Sequence, residues 1–331
     1  MIPGNAEFGF ELLTCRWAEQ TWPPGKTRAG GVIVGRQVGT RDRRWDTIIL
    51  ECDPDGLAER RVFGDQPLDS DLLRIIRHAP PTWQWYREAI PEPDFPWRYV
   101  REAIHRAADR NIVSLRKQSN RVEIKQIAQY PDWLRRIIAI ENKPDMDASA
   151  ARNLGQQLST DVDSQLADEV WVATKQTDNQ VEPALLEDIP IEAGILSIAF
   201  DPHASDTAWT DADVLWQSTE LARDHPPDRR RQRLILAERV YGRGWRSYHR
   251  TMRPDCRHFE LRRYGDSMIP WCQAKQQTQT AAECSSDCRA FEPEPPTWRT
   301  HGWPIEGGPG KGIKWLLARR RERARARAEN K

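Results

Sequence analysis

The chain has 331 residues, 30% of them charged, and its 50 basic and 49 acidic side chains leave a formal net charge of +1 at pH 7. A mean hydropathy of −0.77, with no apolar run near the roughly 18 residues of a membrane span, excludes a helical membrane protein, and "MIPGNAEFGFELL" lacks the basic and apolar regions of a secretory signal. The length exceeds one small core, so two or three domains are expected, and six cysteines without a signal read as reduced thiols or metal ligands in the cytoplasm.

In chain order, "NAEFGFELLTCRWAEQ" (5–20) spaces Phe8, Leu12, Leu13 and Trp17 near helical intervals behind Asn5 as a cap, and "WPPGK" stops it. "GVIVGRQVG" (31–39) and "RRWDTIILEC" (43–52) are β-rich and separated by a polar turn, which predicts a hairpin closed by the turn "DPDG". Over 68–130, "DSDLLRIIRHA" and "TWQWYREAI" read as short helices divided by Pro80-Pro81. "WRYVREAIHRAADRN" (97–111) reads as a third, with Tyr99, Val100, Ile104, Ala107 and Ala108 on one side. "IVSLRKQSNRVEIKQI" (112–127) alternates as two strands around Gln118-Ser119-Asn120. Three helices followed by a hairpin describe a winged helix-turn-helix.

"RRIIAIENKP" (135–144) then reads as a buried strand. Ala151, Leu154, Leu158, Val162 and Leu166 recur at three or four residues and predict an amphipathic helix over 147–167. "DEVWVAT" (168–174) is a strand, "EPALLEDI" a short helix and "AGILSIAF" (193–200) a strand. This alternation argues for an α/β core with parallel pairing. Residues 201–228 show no clear pattern, and "RRRQRLILAERVYGRGWRSYHR" (229–250) reads as a basic helix. The expected organisation is a core from 1–56 and 131–200, an insertion over 57–130 and a connecting, partly helical 201–250. A cysteine module over 251–297 and a Pro/Gly-rich linker with an arginine-rich tail over 298–331 complete it.

At the mouth of the 135–144 strand, Glu141 and Lys143 share a face because strand side chains alternate. Charges beside apolar side chains are costly unless they are paired or ligate a metal. On its own, E-x-K reads as mutual neutralisation at a strand end. Asp46, however, enters another apolar strand in "RRWDTIILE", and Glu11 lies at the edge of the first helix's apolar face. Two carboxylates on adjacent strands make a hard-oxygen site for Mg²⁺ or Mn²⁺.

The order helix with Glu, strand, strand with Asp, strand ending in E-x-K, amphipathic helix, strand resembles the PD-(D/E)xK nuclease superfamily. That superfamily has the fold of restriction endonucleases and archaeal Holliday-junction resolvases. The resemblance implies a mixed α/β sheet flanked by helices, with Asp46 as metal-binding aspartate, Glu141 as second acidic ligand and Lys143 as catalytic lysine. It makes Glu11 the first-helix glutamate, with Glu7 the competitor one turn earlier. It covers roughly residues 5–56 and 133–200 and departs from the pattern in two places. Trp45 stands where the family's proline precedes the aspartate, and the insertion separates Asp46 from Glu141. More loosely, the whole chain is similar to an uncharacterised family of haloarchaeal proteins.

In the insertion, the third helix offers Arg98, Arg101, Arg106 and Arg110, and the hairpin offers Arg116, Lys117, Arg121 and Lys125. Cations so placed can neutralise DNA phosphates. Glu102, Asp109 and Glu123 dilute the patch, and a packing domain without nucleic acid is the plainer alternative. Cys256, Cys272, Cys284 and Cys288 follow as C-x15-C-x11-C-x3-C. Four thiols this close most simply bind one metal centre, and the irregular spacing leaves Zn²⁺ and a [4Fe-4S] cluster both open. Cys15 and Cys52 read as packing residues. "GGPGKG" lacks the pattern and preceding strand of a phosphate loop.

The sequence therefore predicts a Mg²⁺- or Mn²⁺-dependent DNA nuclease of repair, recombination or defence, cytoplasmic, with DNA as partner and no membrane. Many relatives of the fold act as dimers, so a homodimer is expected. The alternative is a non-catalytic winged-helix DNA-binding regulator with a cysteine-ligated metal centre.

Overall fold

The structure is a computed structural model that describes residues 7–25, 30–40, 43–144, 148–175, 188–200, 210–222, 224–246, 256, 258–264, 267–278, 288–290 and 292. The chain divides into two units. One comprises Met1–Leu13, Ala199–Asp211 and Arg246–Lys331, the other Thr14–Ile198 and Ala212–Trp245. No helix among the described residues is long and apolar enough to cross a membrane.

The second unit is built on a mixed α/β sheet. After helix α1 (Glu7–Thr21), strands β1 (Gly31–Gly39) and β2 (Arg44–Cys52) form the expected antiparallel hairpin. "DPDG" is not a turn. Asp53 caps helix α2 (Pro54–Arg60), accepting from the N–H groups of Asp55 and Gly56, with Pro54 in the first helical position.

A second small core follows. It comprises α3 (Ser70–His78), β3 (Gln84–Trp85), α4 (Tyr86–Ala89), α5 (Trp97–Asp109), β4 (Val113–Gln118) and β5 (Arg121–Gln126). The three strands pair in the order β3-β5-β4. "TWQWYREAI" is thus half strand and half helix, because Gln84 and Trp85 find partners in Ile124 and Glu123. On α5 the buried side chains are Val100, Ala103, Ile104 and Ala107, while Tyr99 is exposed and stacks edge-on against Phe95. The hairpin turn has Ser119 at φ 53°, as placed by the sequence.

The sheet resumes with β6 (Leu134–Asn142), α6 (Ala148–Ser164), β7 (Glu169–Lys175), β8 (Gly194–Phe200) and β9 (Thr210–Trp216). Its order is β1-β2-β6-β7-β8-β9. β2 and β6 are antiparallel, whereas β6-β7 and β7-β8 are parallel, the first of these joined through α6 as a βαβ unit. The short helix expected at "EPALLEDI" falls almost entirely outside the described residues. Helix α7 (Pro227–Arg243) realises the basic helix.

One face of the sheet, bearing Ile48, Leu50, Ile137 and Ala139, packs on Leu154 and Leu158 of α6 and Leu236, Ala237 and Val240 of α7. The approach of α7 is close: a Cβ on Gly35 of β1 would stand 2.9 Å from Val240 Cγ1. The opposite face carries Thr47, whose hydroxyl meets Cys15 Sγ of α1 at 3.3 Å. The first unit contains a three-stranded sheet of β10 (Phe259–Tyr264), β11 (Ser267–Cys272) and β12 (Gln277–Thr278).

Candidate active site

In the β2–β6 pairing, Thr47 stands opposite Ile140 and Ile48 opposite Ala139. One step outward, the same register sets Asp46 against Glu141. Like charges directly opposite destabilise a strand pair, and the charge of Asp46 is felt at the Glu141 carboxyl. Asp46 is held on both sides. Gln37 Nε2 of β1 donates to Oδ1 at 2.8 Å, and the backbone N–H of Asn142 donates to Oδ2 at 3.1 Å. Asn142 itself turns to the other face, where Nδ2 donates to Thr47 Oγ1 at 3.0 Å.

Glu141 is only 4% exposed. Burial above all, and then the charge of Asp46, push its carboxyl well above the usual range; Asp161 adds to the effect and Arg43 only partly opposes it. The last two were not found from the sequence. Arg43 lies just before β2 and donates from Nε and Nη2 to the two Asp161 oxygens, each at 2.8 Å. Its Nη2 also pairs with Glu141 Oε1. Burial lowers the Arg43 pKa, but its hydrogen bond to Asp161 and the charges of both acids outweigh that, and the net shift is upward.

Asp161 had a legible signal. It falls three residues after Leu158 and seven after Leu154, so helical period sets it in the stripe that faces the core. It is 1% exposed.

Lys143 is half-buried. Its backbone N–H donates to Ala173 O at 2.9 Å, which continues the parallel register with β7 and keeps Lys143 on the strand face of Glu141. Glu11 is buried in the part of α1 assigned to the first unit. The side chain of Glu7 lies outside the described residues.

Among the described residues, no three His, Cys, Asp or Glu side chains are gathered around a point that could hold a metal ion. The donor chemistry still fits a hard divalent cation. Mg²⁺ is commonly held by one or two carboxylates plus waters and substrate phosphate. Asp46 and Glu141 supply two, and the Glu141 carboxyl, raised first by burial and then by the charge of Asp46, has a like charge beside it that a cation would offset.

In the small core, a groove of about 770 Å³ opens between α5 and the β4–β5 hairpin, lined by Arg98, Arg101, Glu102, His105, Lys117 and Asn120 among others. Arg101 and Lys117 have no partner among the described residues. Arg98 stacks on Tyr99, with Cζ 4.7 Å from the ring centroid. Other expected cations are engaged elsewhere. Arg116 pairs with Glu123 at 2.7 Å, Arg121 lies over Trp85, Arg106 pairs with Asp69 and Asp71, and Arg110 donates to the carbonyls of Gln66 and Pro67.

The model of a family of unknown function, DUF5787, matches residues 33–293. The chain belongs to this family. No curated protein and no solved structure matches it. The DUF5787 match spans β2, β6 and α6, and so covers Asp46, Glu141, Lys143 and Asp161, and it reaches the cysteines.

Of those cysteines, Cys284 lies outside the described residues. Cys256 and Cys272 are buried at one end of the β10–β11 hairpin: Phe259 pairs with Cys272, and its N–H donates to Cys256 O at 3.1 Å. His258 pairs with Glu292 at 3.1 Å. Cys52 is a packing residue of the sheet core, its thiol pushed up to about 12 chiefly by burial.

Proposed function

We propose that this chain is a metal-dependent nuclease of restriction-endonuclease-like fold that hydrolyses phosphodiester bonds in DNA. The observation that carries this reading is the register that sets Asp46 against Glu141, two carboxyls from separate strands at the mouth of an apolar sheet, where the charge of Asp46 adds to burial in raising the Glu141 carboxyl. A bound Mg²⁺ or Mn²⁺ would lower the pKa of a water and neutralise charge on the phosphate. Asp46, fixed by Gln37 and the Asn142 N–H, is the preorganised ligand. Glu141, whose carboxyl burial and the charge of Asp46 raise, is the second ligand and would bind the ion in its ionised form. Lys143, two residues on, orients the water or stabilises the developing charge. The order α3-β3-α4-α5-β4-β5 supports a winged helix, and its groove with Arg101 and Lys117, unpaired among the described residues, supports contact with phosphates. Cys256 and Cys272, at one hairpin end, support a thiol-ligated Zn²⁺ or [4Fe-4S] centre completed by Cys284 and Cys288.

The test is a cleavage assay with Mg²⁺ or Mn²⁺ over linear duplex, single-stranded and branched DNA. The wild type is expected to cut at least one of these, and Glu141→Ala and Lys143→Ala to cut it about 100-fold more slowly or worse, as for loss of one preorganised charge. DNA affinity should be unchanged in Lys143→Ala. Retention of DNA without cleavage of any substrate would overturn the enzyme and favour the second reading, a DNA-binding regulator. One observation favours that reading: Arg43 already sets a cation against Glu141 and Asp161.

A further inference from the structure

A second cavity, of about 300 Å³, lies between α3 and α7. From α3 it takes Arg74, Arg77 and His78, and from α7 it takes Arg231. Its floor is aliphatic, with the half-buried Leu234 and Ile235 of α7 contributing. No acidic residue lines it among the described residues.

Three features set it apart from an ordinary solvated basic face. Arg77 and Arg231 have no partner among the described residues, unlike most of the described arginines. Arg74 is held in place, donating to Pro91 O at 2.8 Å with its Cζ 5.3 Å from the Phe95 ring centroid. The α7 charges also run against their helix. Arg77 and His78 occupy the last turn of α3, where the helix dipole favours cations. Arg229, Arg230 and Arg231 instead fall within the first five positions of α7, where it opposes them, with only Asp228 in the first turn to compensate. Two guanidinium groups that line one cavity have no acidic counter-charge there among the described residues. Guanidinium forks match phosphate oxygens in pairs, and the aliphatic floor asks for an apolar body on the same molecule.

We infer that the cavity between α3 and α7 binds a phosphomonoester that carries an apolar substituent. The phosphate sits between Arg77 and Arg231, with Arg74 and His78 beside it, and the substituent lies on Leu234 and Ile235. This site is separate from the Asp46–Glu141 pair and stands or falls independently of nuclease activity.

Calorimetric titration of the full chain with phenyl phosphate, inorganic phosphate and benzyl alcohol tests it. Phenyl phosphate is expected to bind at least about tenfold more tightly than either fragment, a difference of about 1.4 kcal/mol. Arg77→Gln and Arg231→Gln, both at exposed positions, should each weaken phenyl phosphate about tenfold or more, whereas Arg61→Gln, with the same change of charge, should not. Equal affinity for phenyl phosphate and inorganic phosphate, or wild-type affinity in Arg231→Gln, would overturn the site. The phosphate could belong to a free ester or to the end of a nucleic-acid strand. Stronger binding of a 5′-phosphorylated oligonucleotide than of its 5′-hydroxyl form, lost in Arg231→Gln, would support the site with the strand end as its source. Equal binding of the two, with phenyl phosphate still bound, would support it with the free ester as its source.

Discussion

At the scale of single residues, Glu141 carries a cost the fold does not relieve by itself. Its carboxyl titrates well above the ordinary 4.5 because burial and Asp46 both disfavour its charge. An acid with a raised folded pKa binds more protons folded than unfolded, so its contribution to stability is complete below 4.5 and is lost as pH rises through the folded value. In metal-free buffer, the stability of the wild type is therefore expected to fall with rising pH above 4.5 relative to Glu141→Gln, measured as paired denaturant midpoints across pH. Added Mg²⁺ should flatten the wild-type slope and leave the variant unmoved. Parallel pH profiles for the two proteins would mean that Arg43 alone neutralises Glu141. The placement of Asp46 against Glu141 was legible in the sequence because a charge at the end of an apolar strand is visible without coordinates. Arg43 was not, since its partner Asp161 is 118 positions away and nothing local marks the pair. Asp161 lay within reach, as a carboxylate inside the apolar period of α6.

Elements were legible where local period and tertiary burial agree. β1, β2 and β6 satisfy both, and their bounds follow the sequence within two residues. They were obscured where a distant partner decides. Gln84-Trp85 is a strand only because β5 accepts it, and β9, "TDADVLW", sits at the sheet edge with Val214, Leu215 and Trp216 exposed, so it has no apolar alternation to read. Gly194 shows the same dependence in energetic form. It begins β8 opposite Trp171 of β7, and a Cβ there would stand 2.3 Å from Trp171 Cε3. That indole cannot swing away. It is 1% exposed, meets Trp22 edge-on, and donates from Nε1 to Glu169 Oε2 at 2.8 Å. Gly194→Ala is expected to destabilise by about 1–3 kcal/mol, the usual cost of overpacking, read from chemical denaturation. A change within about 0.5 kcal/mol, typical of open surface sites, would mean that the ring yields.

At the scale of the molecule, the inserted core and the sheet core share a side of α7. Leu234 packs against both clusters, and beneath it lies a fully buried ion pair. Glu238 Oε1 and Oε2 each accept from Arg60 at 2.6 Å; Oε1 also accepts from Tyr130 Oη at 2.7 Å and Oε2 from the backbone N–H of Leu68 at 2.8 Å. Arg60 in turn donates to the carbonyls of Gly64 and Gln66, and its Cζ lies 4.3 Å from the Tyr241 ring centroid. Arg60 and Leu68 at the entry to the insertion, and Tyr130 at its exit, are thereby tied to one carboxylate on α7. Coulomb attraction in a buried pair is largely offset by desolvation, so its worth appears when one partner is removed and the other stays charged. Glu238→Gln is expected to cost about 3–5 kcal/mol by leaving Arg60 buried without a counter-charge. The double variant Arg60→Met, Glu238→Leu should recover most of that, because an apolar pair of similar volume carries no desolvation penalty. Equilibrium denaturation of the four proteins in a cycle measures both. If Glu238→Gln lost less than about 1 kcal/mol, the range of an exposed pair, water would reach this carboxylate in solution, and the two cores would be joined by apolar contact alone.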